Sequence, residues 1–185
     1  METNERIGLL KQFSHILHSS LHYELIYDFQ FTYNNEQLRK VNLACFPVQY
    51  QEKYYKDVVE RNNEGLCKYA FFSGYVVGAA CARLETIEKE GDRQRLYIMT
   101  LGVLAAYRGR GIGTQLIQSI LDHYEENKEG VFGCVVEISL HVQISNEDAI
   151  KFYTERFGFV KGEMVENYYR RIDPPHCYLL YKKLR

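Results

Sequence analysis

A short segment rich in glycine and arginine is the first part of this sequence that suggests chemistry. It reads Arg108-Gly109-Arg110-Gly111-Ile112-Gly113-Thr114 and lies between a long apolar run and a segment with helical periodicity. Glycines at a strand-to-helix junction allow close backbone approach, and the first turn of a helix offers unpaired N–H groups at the positive end of its dipole. The segment therefore predicts a pyrophosphate-binding site.

Two common phosphate loops do not fit this segment. A P-loop needs Gly-Lys-Ser/Thr after a four-residue gap, and no lysine follows these glycines. A dinucleotide-binding fingerprint needs a glycine where Thr114 stands. The pattern that remains is Arg-x-x-Gly-x-Gly, preceded by the apolar run Leu96–Leu104.

A second segment reads Asn146-Glu147-Asp148-Ala149-Ile150-Lys151-Phe152-Tyr153 and is followed by Phe157-Gly158-Phe159. A tyrosine here can do two jobs, because its ring packs while its hydroxyl, with an ordinary pKa of about 10, can give a proton to a departing thiolate. The alternative is that Ala149, Phe152 and Tyr153 are simply the buried face of a helix.

Together, in this order, the two segments resemble the cofactor loop and the following helix of the GNAT acetyltransferase superfamily. The resemblance covers about residues 23–185 and implies an α+β fold, a single domain with a mixed central β-sheet flanked by helices. It implies acetyl-CoA as cofactor and no metal. In this superfamily an Asn contacts the pantetheine arm and a Tyr faces the thioester sulfur. The implied cofactor-binding residues are Leu101, Val103, Arg108, Gly109, Arg110, Gly111, Ile112, Gly113, Thr114, Asn146, Ala149 and Tyr153.

Four further segments look like those of eukaryotic N-alpha-acetyltransferases within this superfamily. They are Phe46-Pro47-Val48-x-Tyr50, residues 95–102, residues 140–146 and Asn167-Tyr168-Tyr169-x-Arg171-Ile172. The resemblance implies that Tyr97 and His141 act through ordered water as the general base. It also implies a peptide-binding cleft lined by Phe46, Pro47, Val48, Tyr50, Met99, Tyr168, Tyr169 and Arg171. The sequence departs from the family at Ala106, at Gly109-Arg110 and over its first 22 residues.

The choice of amine follows from the chemistry of direct attack on a thioester. The site must supply a deprotonated amine, an oxyanion donor and a proton for the thiolate. A peptide α-amine with a pKa of about 8 is roughly 10% neutral at pH 7, whereas a lysine is neutral only about 0.04% of the time. This difference is about 3.3 kcal/mol of deprotonation work. Tyr97 and His141, with no carboxylate in Leu96–Leu104, therefore favour an α-amine, although Glu137 shares the strand face of His141.

Plainer interpretations stay open for each site residue. His141 and Tyr97 can be packing residues of strands, Tyr168 and Tyr169 can be edge-strand aromatics, and Phe46-Pro47-Val48 can be only a helix stop. If Phe46-Pro47-Val48 instead lines an apolar pocket, the pocket favours a substrate that retains its initiator Met and carries an apolar second residue, since burial of apolar surface stabilises binding. Acetylation of lysine side chains and a non-catalytic role in an acetyltransferase complex are the alternative functions.

Composition excludes several other classes of protein. The 185 residues include 23 Lys and Arg against 24 Asp and Glu, so a net charge of −1 does not recruit nucleic acid or an anionic membrane. No apolar run approaches the roughly 20 residues of a spanning helix. Five cysteines without a Cys-x-x-Cys pair predict neither a disulfide framework nor a zinc site.

The first residues carry two acids where a signal peptide has basic residues, so we expect the chain to begin as written and to reside in the cytoplasm, with the nucleus a second compartment. The resemblance implies peptide or nascent-chain N-termini as partners. It also implies the scaffold and catalytic subunits of an N-terminal acetyltransferase complex at the ribosome.

Hydrophobic periodicity predicts the elements that must position these residues. An amphipathic helix over Ile7–Leu21 forms an extension, residues 1–22, to a domain of residues 23–185. The domain then follows the order β, α, α, β, β, β, α, β, α, β, β, with a solvated loop expected over Glu85–Arg95. The second element is a helix capped by Asn34 or Asn35 that runs through Leu38 and Val41 to Cys45. The other predicted elements are Tyr23–Phe29, Glu52–Arg61, Leu66–Phe72, Tyr75–Leu84, Leu96–Leu104, Gly111–Glu126, Val135–Val142, Asn146–Phe157, Phe159–Glu166 and Cys177–Lys182.

Overall fold

A mixed seven-stranded sheet organises the part of the chain that the computed structural model describes, residues 26–28, 35–60, 65–87 and 91–184. The strand order is β1-β2-β3-β4-β5-β7-β6, and only β4 and β5 pair in parallel. The strands are β1 (Ile26–Asp28), β2 (Cys67–Phe72), β3 (Tyr75–Thr86), β4 (Gln94–Val103), β5 (Val135–Gln143), β6 (Val160–Val165) and β7 (Cys177–Lys183). The helices are α1 (Asn35–Cys45), α2 (Glu52–Glu60), α3 (Ile112–Asn127) and α4 (Glu147–Phe157).

The predicted fold class and the predicted order of elements are confirmed for the described residues. Pro47 follows the end of α1, and the turn at Ser73 and Gly74 joins β2 to β3, both as predicted. The predicted helix Ile7–Leu21 lies outside the described residues, as does most of the predicted strand Tyr23–Phe29. The division of the chain at residue 22 therefore stays a prediction.

The loop predicted over Glu85–Arg95 was wrong at both ends. Glu85 pairs with Arg95 and Thr86 pairs with Gln94, so the ladder between β3 and β4 extends into this charged stretch. The physical reason is that Glu85 accepts hydrogen bonds from Arg95 across the strands and from Arg83 on its own strand. Opposite charges placed side by side on neighbouring strands stabilise a sheet rather than interrupt it.

Two apolar cores lie on the two faces of the sheet. Leu38 and Val41 of α1 pack with Tyr55 and Val58 of α2 on one face. A larger set from α3, α4 and the sheet fills the other face, including Leu116, Ile117, Ile120, Tyr153 and Phe157. Cys67 and Cys81 belong to the first of these cores, and all five cysteines are free thiols, as expected from their spacing.

A bulge in β4 and the divergence of β4 from β5 create an opening in the sheet. Cys81 pairs with Thr100 but Ala82 pairs with Ile98, so Met99 is an extra residue on β4 with no partner on β3. This extra residue shifts by one the alternation of β4 side chains between the two faces of the sheet. Pairing between β4 and β5 is found only up to Tyr97 and Ser139, although both strands continue. The edges of residues 98–103 and 140–143 therefore face a gap in the sheet.

No helix among the residues described is both long and apolar enough to cross a membrane.

Candidate active site

Tyr97 and His141 meet where β4 and β5 begin to separate. Tyr97 is directly opposite Ser139, and His141 lies two residues further along β5 on the same face, since side chains alternate along a strand. The Tyr97 hydroxyl is 3.0 Å from His141 Nδ1, a hydrogen bond in either direction depending on the imidazole tautomer. The predicted catalytic residues are thus in direct contact.

Tyr168 covers this pair from the segment between β6 and β7. Its ring stacks on His141 with centroids 4.3 Å apart and an angle of 17°, and its hydroxyl is 3.2 Å from the Tyr97 hydroxyl. Tyr169 packs edge-on against Tyr168 at 4.9 Å. The Tyr169 N–H donates to the Pro175 carbonyl, which ties down the segment. Two predicted cleft residues therefore border the predicted catalytic pair.

The surroundings favour the uncharged form of both predicted catalytic groups. Burial raises the pKa of Tyr97 far above its ordinary value, and the neighbouring Tyr168 raises it further. Burial also lowers the pKa of His141 below 6.5, and the positive charge of Arg95 adds to this effect. At neutral pH, His141 can accept a proton, whereas Tyr97 remains a hydrogen-bond donor.

A charged group beside Tyr97 was not predicted from the sequence. The guanidinium carbons of Arg83 and Arg95 lie 5.6 Å and 5.9 Å from the centroid of the Tyr97 ring, and Glu85 is hydrogen-bonded to both arginines. Burial raises the pKa of Glu85, but the two arginines more than offset it, so its pKa lies below the ordinary value. Glu85 and Arg95 lay in the stretch that the sequence analysis assigned to a loop. The alternating charges of that stretch could have indicated ion pairs between neighbouring strands.

Aromatic side chains after α1 pack against one another in the segment predicted to line the peptide cleft. Phe46 packs edge-on against Tyr50 at 5.9 Å, and Tyr50 lies 4.5 Å from Tyr54. Burial raises the pKa of Tyr50 to about 12, and Tyr55, Cys81 and Tyr168 contribute further. Tyr54, which sequence reasoning missed, bonds to Thr100 at 3.0 Å.

Gly102 allows the end of α1 to approach β4 closely. A Cβ atom at Gly102 would lie 3.1 Å from the Cβ of Cys45 and 3.4 Å from the Phe46 ring. Of the other predicted cleft residues, Val48 and Met99 are half-buried, whereas Pro47 and Arg171 are exposed.

The glycine-rich loop lies between β4 and α3. Gly109 and Gly111 have φ angles of 73° and 80°, and α3 begins at Ile112. Arg108 Nε donates to the Val103 carbonyl at 2.9 Å, which anchors the loop to the end of β4. A Cβ atom on Gly113 would lie 3.7 Å from Phe152 and 3.9 Å from Leu101. The N-terminus of α3 is therefore held at the mouth of the gap between β4 and β5.

Helix α4 carries the remaining predicted cofactor residues. Asn146 caps it, since its Oδ1 accepts a hydrogen bond from the Ala149 N–H at 3.2 Å, which leaves the side-chain NH₂ group for other partners. Tyr153 is only 4% exposed, and burial raises the pKa of its phenol, which stays protonated.

These features together fit acetyl-CoA. The gap leaves backbone groups for an extended pantetheine arm, and the N-terminus of α3 with its open glycines suits a pyrophosphate. Within residues 26–28, 35–60, 65–87 and 91–184, no cluster of three side chains is suited to hold a metal ion.

Comparison with known proteins identifies the family. The profile of the acetyltransferase (GNAT) family matches residues 35–159, more than half of the chain. This chain belongs to the GNAT acetyltransferase family. The acetyltransferase is 46% identical over 153 residues to N-alpha-acetyltransferase 50 of Danio rerio, covering 83% of this chain and 84% of that protein.

Two other similar proteins agree with this assignment. The acetyltransferase is 44% identical over 153 residues to the probable N-acetyltransferase san of Drosophila melanogaster, covering 83% of this chain and 77% of that protein. Its fold matches Arabidopsis thaliana Naa50, solved in complex with the bisubstrate analogue CoA-Ac-MVNAL, with a TM-score of 0.70 and 41% identity. That alignment covers 85% of this chain and 97% of the solved one. The fold and family predicted from the sequence are thus confirmed.

Proposed function

We propose that this protein transfers the acetyl group of acetyl-CoA to the α-amine of protein N-termini. The observation that carries the proposal is the contact between Tyr97 and His141 at 3.0 Å, at the point where β4 and β5 separate. The 46% identity to an N-alpha-acetyltransferase supports it. Acetyl-CoA, when bound, supplies the acetyl group as an activated thioester.

The proposed mechanism assigns separate jobs to the two catalytic residues. The neutral amine attacks the thioester carbonyl carbon, a C–N bond forms and the C–S bond breaks. The proton lost by the amine passes through a water molecule to the neutral imidazole of His141. Tyr97 stays protonated, and its oxygen accepts a hydrogen bond from the Nδ1–H of His141, which orients the imidazole and leaves the Nε2 lone pair for the proton. The Tyr153 hydroxyl, which burial keeps protonated, donates a hydrogen bond to the thiolate that leaves, and the thiolate takes its proton from solvent when CoA is released.

The proposed substrates retain their initiator Met and carry an apolar second residue. The cleft beside Tyr97 and His141 is lined by Phe46, Tyr50 and Met99, which offer apolar surface. The analogue bound to the 41% identical Arabidopsis protein begins with Met and Val, in agreement with this choice. Nascent chains are the natural source of such N-termini. We therefore infer a place in the cytoplasm, beside the scaffold and catalytic subunits of a ribosome-bound acetyltransferase complex.

Release of free CoA from acetyl-CoA tests the function with two matched peptides. One begins Met-Leu with a free amine, and the other has the same sequence with a blocked amine and an internal lysine. We expect turnover on the first peptide only, because a lysine costs about 3.3 kcal/mol more to deprotonate. A second free-amine peptide beginning Met-Lys tests the preference for an apolar second residue.

Turnover mainly on the blocked peptide would overturn the proposal in favour of a lysine acetyltransferase. Absence of turnover on every peptide, with acetyl-CoA still bound, would support a non-catalytic subunit.

A further inference from the structure

One carboxylate holds two arginines beside the catalytic tyrosine. Arg83 Nε donates to one oxygen of Glu85 at 2.9 Å, and Arg95 Nε donates to the other oxygen at 2.9 Å. A second nitrogen of Arg95 lies 2.8 Å from the same oxygen as its Nε. The Glu85 side chain is 19% exposed, so its two oxygens are largely shielded from solvent and committed to these partners.

Strand register directs this group toward the site. Arg83 is directly opposite Tyr97 on the neighbouring strand, and Arg95 is directly opposite Glu85. Both guanidinium groups lie within 6 Å of the centroid of the Tyr97 ring, at 5.6 Å and 5.9 Å, the range of cation–π attraction. Tyr97 is in turn bonded to His141. An unbroken chain of contacts therefore connects Glu85 to His141.

We propose that Glu85 is a positioning residue for acetyl transfer, because it holds Arg83 and Arg95 against Tyr97 and so sets both the orientation of Tyr97 and the charge beside His141. This proposal rests on the proposed function. Glu85 touches no reacting atom and acts only through its two arginines.

The charges in the cluster act on His141 with opposite signs. Two arginines and one carboxylate leave a net charge of +1 on this side. Arg95 favours the neutral imidazole, whereas Glu85 opposes that effect. The other charged or titratable groups that face His141 from the elements around it are Tyr97 on β4, Arg83 on β3, Glu137 on β5, Cys177, Tyr181 and Lys183 on β7, Tyr168 and Tyr169 before β7, and Tyr50 after α1.

A purely structural role makes a different prediction. Partly exposed ion pairs contribute little to stability, and their loss changes the unfolding free energy without moving a titration in the active site. The decisive readout is therefore the protonation of His141. It is followed by NMR through the ring protons of His141, and in parallel by the acid limb of kcat/KM on the Met-Leu peptide.

Arg95→Gln and Glu85→Gln form a matched pair of similar side chains that remove opposite charges. We expect Arg95→Gln to move the His141 titration and the acid limb to higher pH by about 0.5 unit, and Glu85→Gln to move both to lower pH by a similar amount. Glu85→Gln should also lower kcat about tenfold while KM for acetyl-CoA stays unchanged, since Tyr97 loses its support. Lys128→Gln, which removes a positive charge from an exposed pair at the C-terminal end of α3, serves as the control and should move neither titration.

Shifts in the same direction for both variants, or no shift in folded protein, would overturn the proposal. If Glu85→Gln does not fold, Arg95→Gln alone decides, and an unmoved His141 titration in that variant counts against the proposal. The NMR titration needs no turnover. If the parent protein acetylates no α-amine, the proposed function fails, and the effect of the cluster on His141 is still measured.

Discussion

At the residue scale, burial favours the neutral form of both Tyr97 and His141, and this separates their roles. A tyrosine whose pKa is raised cannot take a proton at neutral pH, so it acts as a donor. A histidine whose pKa is lowered is neutral at pH 7 and has a lone pair to offer. In this pair, His141 is therefore the base, and Tyr97 is the group that orients it.

This division of roles predicts unequal effects of substitution. His141→Ala should lower kcat by about 10² to 10⁴-fold, because it removes the proton acceptor. Tyr97→Phe should cost less, since it keeps the ring and removes only the hydroxyl with its hydrogen bonds to His141 and Tyr168. Steady-state kinetics on the Met-Leu peptide measures both, and unchanged acetyl-CoA binding in each variant is the control. Equal rates for parent and His141→Ala would contradict the role of His141.

The lowered pKa of His141 also predicts the pH dependence of the reaction. Protonation of His141 removes the base, so activity is lost as pH falls through its pKa. Because that pKa lies below 6.5 in the folded protein, the acid limb that belongs to the enzyme should fall below pH 6.5. A separate limb near the substrate pKa of about 8 belongs to the peptide amine. Acid limbs measured with peptides of different amine pKa distinguish the two, and an enzyme limb above 6.5 would contradict the assignment.

At the element scale, the junction between β4 and α3 depends on a backbone conformation as well as on residue type. Gly111 precedes α3 with a φ of 80°, in the left-handed region that side chains disfavour. Gly113, one residue into the helix, does not have a positive φ. Of these two glycines, therefore, only Gly111 is required by its backbone conformation.

Alanine substitutions at these two glycines should affect the free energy of unfolding differently. Gly111→Ala should lower the free energy of unfolding by about 1–2 kcal/mol, because the left-handed conformation is strained for any residue with a Cβ. Gly113→Ala should leave it unchanged or raise it by up to about 1 kcal/mol, because alanine favours the helix and its Cβ meets Phe152 at ordinary contact distance. Urea denaturation measures both. A loss in Gly113→Ala as large as that in Gly111→Ala would refute this distinction.

At the scale of the whole molecule, the sheet separates two cores and exposes one opening between its strands. The core on the side of α3 and α4 lies across the sheet from the core on the side of α1 and α2. Cys67, Cys81 and Cys177 are buried, Cys45 is half-buried and Cys134 is exposed. Solvent access to Cys67 and Cys81 therefore reports on the integrity of the core on the side of α1 and α2.

The native protein should react with a thiol reagent in distinct phases. Cys134 should react first because it is exposed, while Cys67, Cys81 and Cys177 should react only when the protein unfolds. Cys134→Ser should remove the fast phase, and Cys177→Ser should leave it intact. Absorbance of the released reagent measures the phases in native buffer and in urea. Fast reaction of three or more thiols in native buffer would contradict the packing described.

Much of the fold and some of the site follow from local sequence patterns. The order of strands and helices in the described residues was predictable because each element carries its own hydrophobic period. The ends of β3 and β4 were not, since Glu85 and Arg95 look like loop residues until each is seen opposite the other. Tyr54 was missed for the same reason: its bond to Thr100 spans 46 residues of sequence.

The sequence by itself determined the glycine-rich loop at the start of α3, the cap at Asn146 and the family, because these depend on residues close together in the chain. Only the tertiary structure decided that the extra residue Met99 reverses the faces of β4, that β4 and β5 separate, and that Tyr168 stacks on His141. Each of these depends on pairing between distant segments, and register there is set by the packing of the whole sheet rather than by any one strand.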